Sequence, residues 1–324
     1  MDWLLAPFEF EFFRNGVVVG TVAGGLCGLV GTYVVLRRMS YIGHGLSHAI
    51  FAGAAASAIA GVNFFLGAGL WGIASALAIG RVARRRVVGS DAAIGVVTTG
   101  SFAVGLALFG LFGQARRSPD ALLFGSIVGV SRTDVWVVLL LAAATALVVA
   151  TRYRELLFAT FDPEVADVSG VRTWRIDALL MVVLSVAILV TTKVLGVVLV
   201  AGALVIPATV ARLLSDTFAR VLWLSTAIGA ACGLVGMVAS YHLDVSSGAT
   251  IVLVAAGLFV LVYAATGWRR RLAAGARRSA ATGAGPPVPA GDGSPVPIGD
   301  GSPVPAGDGS PVPTGPVPDG RGGS

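Results

Sequence analysis

Charged residues are scarce in this sequence of 324 residues. Only 12% are Asp, Glu, Lys or Arg and 56% are hydrophobic, whereas soluble domains carry about 25% charged residues. A chain with so little charge cannot cover a water-facing surface, which excludes a soluble fold and makes lipid the expected solvent. Cysteine is also scarce. Cys27 and Cys232 each lie inside an apolar run, so no disulfide framework is indicated and both are predicted to pack in the interior.

Long charge-free runs recur along the chain, and each is close to the 20 or so apolar residues that a membrane-crossing helix needs. Strands of an outer-membrane barrel need only about 9 to 11 residues, so these runs predict helices. We predict an all-α polytopic membrane protein with nine transmembrane helices, or eight if one run is re-entrant. The runs are Asn15–Leu36, Met39–Gly80 (two spans joined at 61–63), Ala92–Gly113, Val135–Thr151, Ala178–Arg212 (a hairpin near Lys193 and Gly196), Val221–Tyr241 and Gly248–Trp268.

The basic residues lie between these runs rather than on one continuous surface, which argues against nucleic-acid binding despite the net charge of +6. In the nine-span threading, 17 Lys or Arg residues fall on one side and 5 on the other. The positive-inside rule then places the N-terminus outside and the C-terminus in the cytoplasm. Residues 1–14 carry Asp2, Glu9 and Glu11 but no basic segment before the first run, so we expect that run to be a retained span of a cell-membrane protein.

The chain is predicted to divide into an N-terminal segment (1–14), a transmembrane domain (15–268) and a C-terminal region (269–324). The last begins with a cluster of arginines and continues into a stretch rich in Pro, Gly and Ser. The octapeptide pattern GDGSPVPx occurs there three times, starting at Gly291, Gly299 and Gly307. Such a composition cannot bury a core, so the tail is predicted to be disordered.

Two of the three histidines, His44 and His48, lie four residues apart in a charge-free run. On a helix, residues i and i+4 project from the same face, so both imidazoles can reach one metal ion. Neutral imidazole suits zinc, copper, iron and nickel, and ionisable groups inside a membrane usually serve function. We interpret the pair as metal ligands; the alternative is that both are structural histidines bonded to backbone carbonyls.

Two catalytic interpretations fail on the residues present. The histidine spacing matches HExxH, but Gly45 stands where a zinc protease needs its Glu base. Lys193 is the only lysine, and no GxxxxGK[ST] loop precedes it. Any ATP hydrolysis must therefore be performed by another polypeptide, and we expect no enzyme activity and no permanently bound cofactor.

The segment from Phe161 to Val171 has the signals of a short helix, at about 162–170, between two spans. Asp162 is a good N-cap, Pro163 suits the first helical position, and Glu164 favours the positive helix start. Ala166 lies within it, and Gly170 suits the position after the helix end. With little local core to pack on, this helix is predicted to dock on a partner; the alternative is an ordinary interfacial turn.

Taken together, these segments resemble the integral membrane permease of the zinc/manganese/iron family of ABC importers. The resemblance covers residues 14–266. No single motif is decisive, but the order and spacing of the motifs together are specific to the family. The matching segments are Leu36–Ser40, Gly43–Ala49, Asp91–Gly95, Leu123–Gly125, Phe161–Gly170, Val205–Ala208 and Ser240–Gly248.

The resemblance implies a permease that dimerises, binds two cytoplasmic ATPase subunits and receives a divalent metal ion from an extracytoplasmic binding protein. It also implies that the helix at 162–170 couples the permease to the ATPase. In that family the motif before the second histidine usually reads Gly-Asp-Ala-Leu-Ser-His, and its Asp and His are thought to line the metal path. His48 takes the His position, while His44 stands where the Asp is expected. Nitrogen in place of an anionic oxygen favours zinc over manganese.

Three rivals stay open. A permease of the same architecture for a siderophore or cobalamin would need a wider path and no histidine pair. A proton-coupled metal carrier would need intramembrane carboxylates, and the spans assigned above contain no Asp or Glu. A membrane enzyme would need an acid/base pair.

The segment Ser240–Gly248, with His242 and Asp244, is predicted to be a polar loop at the outer face; an outer gate or metal entry point is the alternative.

Overall fold

The computed structural model describes residues 6–83, 89–112 and 130–283, and within these ranges all regular structure is helical. A 3₁₀ turn at Ala6–Glu9 precedes the first long helix. The helices are α1 (Glu11–Leu36), α2 (Ser40–Ala60), α3 (Phe64–Ala83), α4 (Ser90–Phe112), α5 (Arg132–Thr151), α6 (Tyr153–Phe161), α7 (Pro163–Val168), α8 (Thr173–Leu214), α9 (Phe218–Leu243) and α10 (Ser247–Gly283).

Eight of these helices are long and apolar enough to cross a membrane, so the prediction of a polytopic helical membrane protein is confirmed. Each predicted run coincides with one helix or a pair of helices. The helices usually extend about one turn beyond the ends of the charge-free runs. The turn predicted at 61–63 is present, with Gly61 in the left-handed conformation after α2. Both cysteines are buried and free, as expected.

The 42-residue helix α8 is two helices joined at Gly196, whose φ of 76° and ψ of 164° are not helical. Contacts with α1 show that the chain reverses there. Thr191 contacts Cys27 before the break, whereas Leu204, after the break, contacts Gly31, which lies one turn nearer the end of α1. Counting α8 as two passes gives nine crossings among the described residues, which matches the predicted hairpin.

Small residues bring the backbones of α1 and α9, which run antiparallel, into close contact. Gly20, Gly24 and Gly28 face Gly233, Gly229 and Ser225, and a Cβ atom on Gly24 or Gly28 would collide with a carbonyl oxygen of α9. The Ser225 hydroxyl donates a hydrogen bond to the carbonyl of Gly28 at 2.6 Å. In lipid, where burial of apolar surface drives little association, such close backbone approach gains dispersion and hydrogen bonding instead.

Ion pairs lie at both ends of the bundle. At the end where α1 stops, Arg37 pairs with Asp177 of α8 at 2.7 Å; at the other end, Lys193 of α8 pairs with Asp134 of α5 at 2.9 Å. The charge-free runs assigned from the sequence contain no carboxylate, but the helices are longer than those runs. The helices extend a turn beyond the charge-free runs and take Asp134 and Asp177 into their ends. A charge at the membrane edge is tolerable when it is paired.

The chain divides into two units, residues 1–275 and residues 276–324. Helix α10 continues to Gly283, beyond the predicted end of the last span at Trp268. The domain boundaries at residues 14 and 268 stay predictions. The repeat tail from residue 284 onward and the segment Leu123–Gly125 lie outside the described residues.

The packing of α1 against α9 leads to a test with a matched pair of glycine variants. Gly28→Ala should force these helices apart and destabilise the protein by about 1 to 3 kcal/mol, the usual range for overpacking. Gly100→Ala on α4, where an added Cβ meets nothing within 4 Å, should be neutral or slightly stabilising. Thermal unfolding of the purified protein in detergent measures both; equal unfolding temperatures for the two variants would contradict the close packing.

Candidate functional site

The histidine pair lies one and two turns into α2, near the end of the bundle where that helix begins. The rings of His44 and His48 have their centroids 4.4 Å apart and are tilted by 49°. His44 is exposed on the surface of the single chain and His48 is half-buried. The opposite side of α2 is buried; Leu46, Ala49 and Ile50, for example, have no exposed surface.

A hydrogen bond fixes the tautomer of His48. Its Nδ1 lies 3.0 Å from the carbonyl oxygen of His44. Because a carbonyl can only accept, Nδ1 must carry the proton, and the neutral ring then keeps an unprotonated Nε2. The hydroxyl of Ser47 donates to the same carbonyl at 2.8 Å. Metal-ligating histidines in proteins are typically oriented in this way, with the second ring nitrogen bonded to a carbonyl.

Helix α4 forms the wall beside the pair and contributes residues that the sequence did not single out. The ring of Phe102 lies 5.3 Å from that of His48. One turn earlier, Thr98 packs against Gly45, where an added Cβ would be 2.7 Å from its hydroxyl oxygen. That hydroxyl is buried and has no hydrogen-bond partner within the described part of the chain. Contact between two helices separated by some 50 residues leaves no local pattern, so periodicity could not have found either residue.

Within the described residues, no group of three or more His, Cys, Asp or Glu side chains could enclose a metal ion. Two imidazoles supply half of the tetrahedral set that zinc takes in structural sites. An incomplete set holds an ion weakly, and a permeation pathway requires sites that an ion can both enter and leave. The geometry therefore suits passing contact with an ion better than permanent storage.

The short helix predicted between two spans is present as α7. The Asp162 carboxylate accepts a hydrogen bond from the backbone N–H of Val165 at 2.9 Å, and Pro163 is the first helical residue. Glu164 lies in the first turn. Gly170, with a φ of 84°, follows the helix end in the left-handed conformation that glycine adopts at low cost.

Helix α7 turns one small face inward and leaves an apolar face uncovered. Ala166 is fully buried, while Val168 is 88% exposed and Val165 47% exposed. Phe161, at the end of the preceding helix, is 57% exposed. The Asp167 carboxylate accepts hydrogen bonds from the backbone N–H and the hydroxyl of Thr173, which tie α7 to the start of α8. The helix is thus anchored to the spans and presents valine and phenylalanine side chains outward.

Most of the segment Ser240–Gly248, which the sequence predicts to be a loop, is helical: α9 continues to Leu243 and α10 begins at Ser247. Residues 244–246 connect the two helices and lie close to the break in α8. Asp244 ends α9 in the left-handed conformation, and the Ser240 hydroxyl donates to the carbonyl of Val245 at 2.6 Å. The Ser247 hydroxyl donates to the carbonyl of Val194 at 2.8 Å. These two hydrogen bonds hold the connection between α9 and α10 in place. That the connection serves as an outer gate or a metal entry point stays an alternative suggested by the sequence.

Comparison with known proteins identifies relatives over most of the chain. The model of the ABC 3 transport family matches residues 9–266. The manganese transport system membrane protein MntC of Halalkalibacterium halodurans is 36% identical over 257 residues, which are 79% of this chain and 87% of that protein. A protein of Haemophilus influenzae named "probable iron transport system membrane protein" is 33% identical over 270 residues, 83% of this chain and 99% of that protein.

The fold has a solved counterpart. A chain of the structure described as PsaBC from Streptococcus pneumoniae in complex with Fab superposes with a TM-score of 0.73 at 31% identity, covering 80% of this chain and 94% of that one. The family match begins before the first candidate membrane span and ends at residue 266, within the last one. The protein therefore belongs to the ABC 3 transport family and is a multi-pass membrane permease.

Proposed function

We propose that this chain is the permease subunit of an ATP-driven importer of divalent transition metal ions. The observation that carries the proposal is the pair His44 and His48, whose rings lie 4.4 Å apart on a membrane helix. Intramembrane ionisable residues usually mark a substrate path. Relatives named for manganese and iron transport support a metal ion as the cargo.

Two lines of evidence bear on which metal is carried. The names of the relatives favour manganese or iron. The donor atoms favour a softer ion, because two imidazole nitrogens suit zinc and iron, while manganese prefers oxygen ligands. We propose zinc or manganese as the substrate, with the nitrogen at position 44 raising the preference for zinc relative to a His-Asp pair.

The cytoplasmic helix α7 is proposed to dock on an ATPase subunit. In this interpretation the exposed side chains of Phe161, Val165 and Val168 enter the partner, while the capping residues Asp162, Pro163 and Gly170 hold the helix in shape. Glu164 keeps the helix start negative, and buried Ala166 lets α7 pack closely on the bundle. Hydrogen bonds from Thr173 to Asp167 would transmit movement of α7 to α8.

The complete importer is proposed to contain two permease subunits, two ATPases and an extracytoplasmic metal-binding protein. The structural relative titled PsaBC supports assembly with other chains. A second permease subunit could supply the ligands that the histidine pair lacks. We favour a homodimer, since no second permease sequence is needed to explain the features of this one.

The rivals are less well supported. Transport of a siderophore or cobalamin would not explain the presence of the histidine pair. A proton-coupled carrier needs carboxylates that can change protonation within the membrane. The carboxylates Asp134 and Asp177 are instead paired with Lys193 and Arg37 at the helix ends.

His48→Ala tests the metal path. We expect loss of metal uptake by whole cells or proteoliposomes, because the variant removes the half-buried nitrogen donor, with no loss of co-purifying ATPase. His242→Ala changes the remaining histidine, at the far end of the bundle, and should leave uptake unchanged if Ser240–Gly248 is a connecting loop as predicted. Uptake at the unmutated rate by His48→Ala would refute the path.

His44→Asp tests the basis of selectivity. The variant restores the oxygen donor usual in this family, so uptake of manganese should rise relative to zinc, by about tenfold if one ligand is worth about 1.4 kcal/mol of discrimination. Competition between the two ions in one transport assay gives the ratio directly. An unchanged ratio would show that position 44 does not contact the metal.

Val168→Asp tests the docking helix. The side chain is exposed and makes little internal contact, so folding should be preserved while a charge enters the proposed interface. We expect at least about a tenfold loss of ATPase binding, the size of a lost interface anchor. Val62→Asp makes the same change on an exposed residue at the opposite end and should retain the ATPase. Equal recovery of ATPase with both variants would contradict docking through α7.

A further inference from the structure

A cavity of about 880 Å³ opens at the end of the bundle where α7 lies. Its walls come from the ends of α1 and α3, the starts of α2 and α8, and the junction of α6 with α7. Three arginines line it, Arg37, Arg38 and Arg81, and Asp177 is the one acidic residue among the described residues of its lining. The positive-inside rule assigns this end to the cytoplasm.

Arg37 contributes an unused hydrogen-bond donor to this cavity. Its side chain is only 10% exposed. Nη1 donates to Asp177 at 2.7 Å and Nε to the hydroxyl of Thr160 at 3.1 Å. Nη2 is buried and has no hydrogen-bond partner among the residues that the structure describes. A guanidinium nitrogen buried without an acceptor is costly, so the site is incomplete without an anionic or carbonyl oxygen.

Arg38 is held in a backbone conformation that favours glycine. Its φ is 56°, and its N–H and that of Met39 bond the carbonyls of Val35 and Val34, closing α1 in a Schellman-type cap. Glycine is the usual residue at this position of the cap. Because arginine is strained in this backbone conformation, its presence indicates that its side chain has a function.

The cavity is apolar on the side toward the membrane interior. Leu77 and Met181 lie one turn deeper than the arginines, and Trp174 stands at the rim, 54% exposed. Leu77 is itself 42% exposed. Tryptophan concentrates at the headgroup level of bilayers. A free phosphate would use the arginines but leave this apolar wall uncovered, whereas a phospholipid would fill both parts.

We propose that this cavity binds a phospholipid with an anionic headgroup from the cytoplasmic leaflet. The phosphate would lie between Arg38, Arg81 and the free Nη2 of Arg37, and the start of an acyl chain would lie against Leu77 and Met181. Basic pockets between membrane helices on the cytoplasmic side are recurrent sites for anionic lipids. Because Thr160 and Pro163 also line the cavity, the lipid would join α7 to the membrane helices. The inference does not depend on which ion the protein transports.

The test uses the full-length chain purified in detergent, with phosphatidylglycerol or phosphatidylcholine added. Phosphatidylglycerol should raise the unfolding temperature, and native mass spectrometry should show it retained in preference to phosphatidylcholine. In the variant Arg38→Gly with Arg81→Gln, the phosphatidylglycerol concentration for half-maximal stabilisation should rise about tenfold or more, from the loss of two basic contacts. Arg154→Gln, an exposed arginine outside the cavity, should behave as the unmutated protein.

Folding of the variants is checked in the same experiment. Arg38→Gly places glycine where the backbone favours it, so its unfolding temperature without lipid should not fall. If the double variant keeps the full response to phosphatidylglycerol, the site is refuted. It is equally refuted if glycerol phosphate, which carries the anion without acyl chains, stabilises the unmutated protein as strongly as phosphatidylglycerol does.

Discussion

Hydrocarbon provides no hydrogen-bond partners and stabilises charge poorly, and the arrangement of this bundle follows from that constraint. Charges lie at the two ends and pair across helices, Arg37 with Asp177 and Lys193 with Asp134. Many serine and threonine hydroxyls in the interior donate hydrogen bonds to backbone carbonyls, as Ser225 does to Gly28. Histidine is suited to the region between, because its imidazole can remain neutral and still offer a nitrogen to a cation.

The proposed metal path and the proposed coupling helix lie toward the same end of the protomer. His44 and His48 lie in the second and third turns of α2, which begins three residues after Arg37. Arg37 contacts Thr160 just before α7. A change in the position of α7 therefore reaches the start of α2 through one guanidinium group. Through this short connection, movement of α7 caused by nucleotide hydrolysis on a partner subunit could shift the part of α2 that carries the imidazoles.

Most of the fold was predictable from the sequence, because in lipid the apolar runs and the helices nearly coincide. The caps Asp162, Pro163 and Gly170 likewise predicted α7 from local chemistry. The bundle's contacts were not predictable: nothing local indicates that Phe102 lies beside His48 or that Arg37 reaches Asp177. The charge-free criterion also cut helices short, since it could not anticipate that Asp134 and Asp177 would be neutralised by residues distant in the sequence.

The backbones of α1 and α9 are in direct contact and are joined by the hydrogen bond from the Ser225 hydroxyl to the Gly28 carbonyl. We therefore expect these two helices to move as one unit. The most hydrophobic stretch of α1 is 78% buried, against 22% for that of α4. Helix α4, which brings Phe102 to His48, packs on α2 at Gly45 and leaves most of its hydrophobic stretch outside the interior of the protomer. A displacement of α4 along α2 would therefore change the surroundings of the second imidazole.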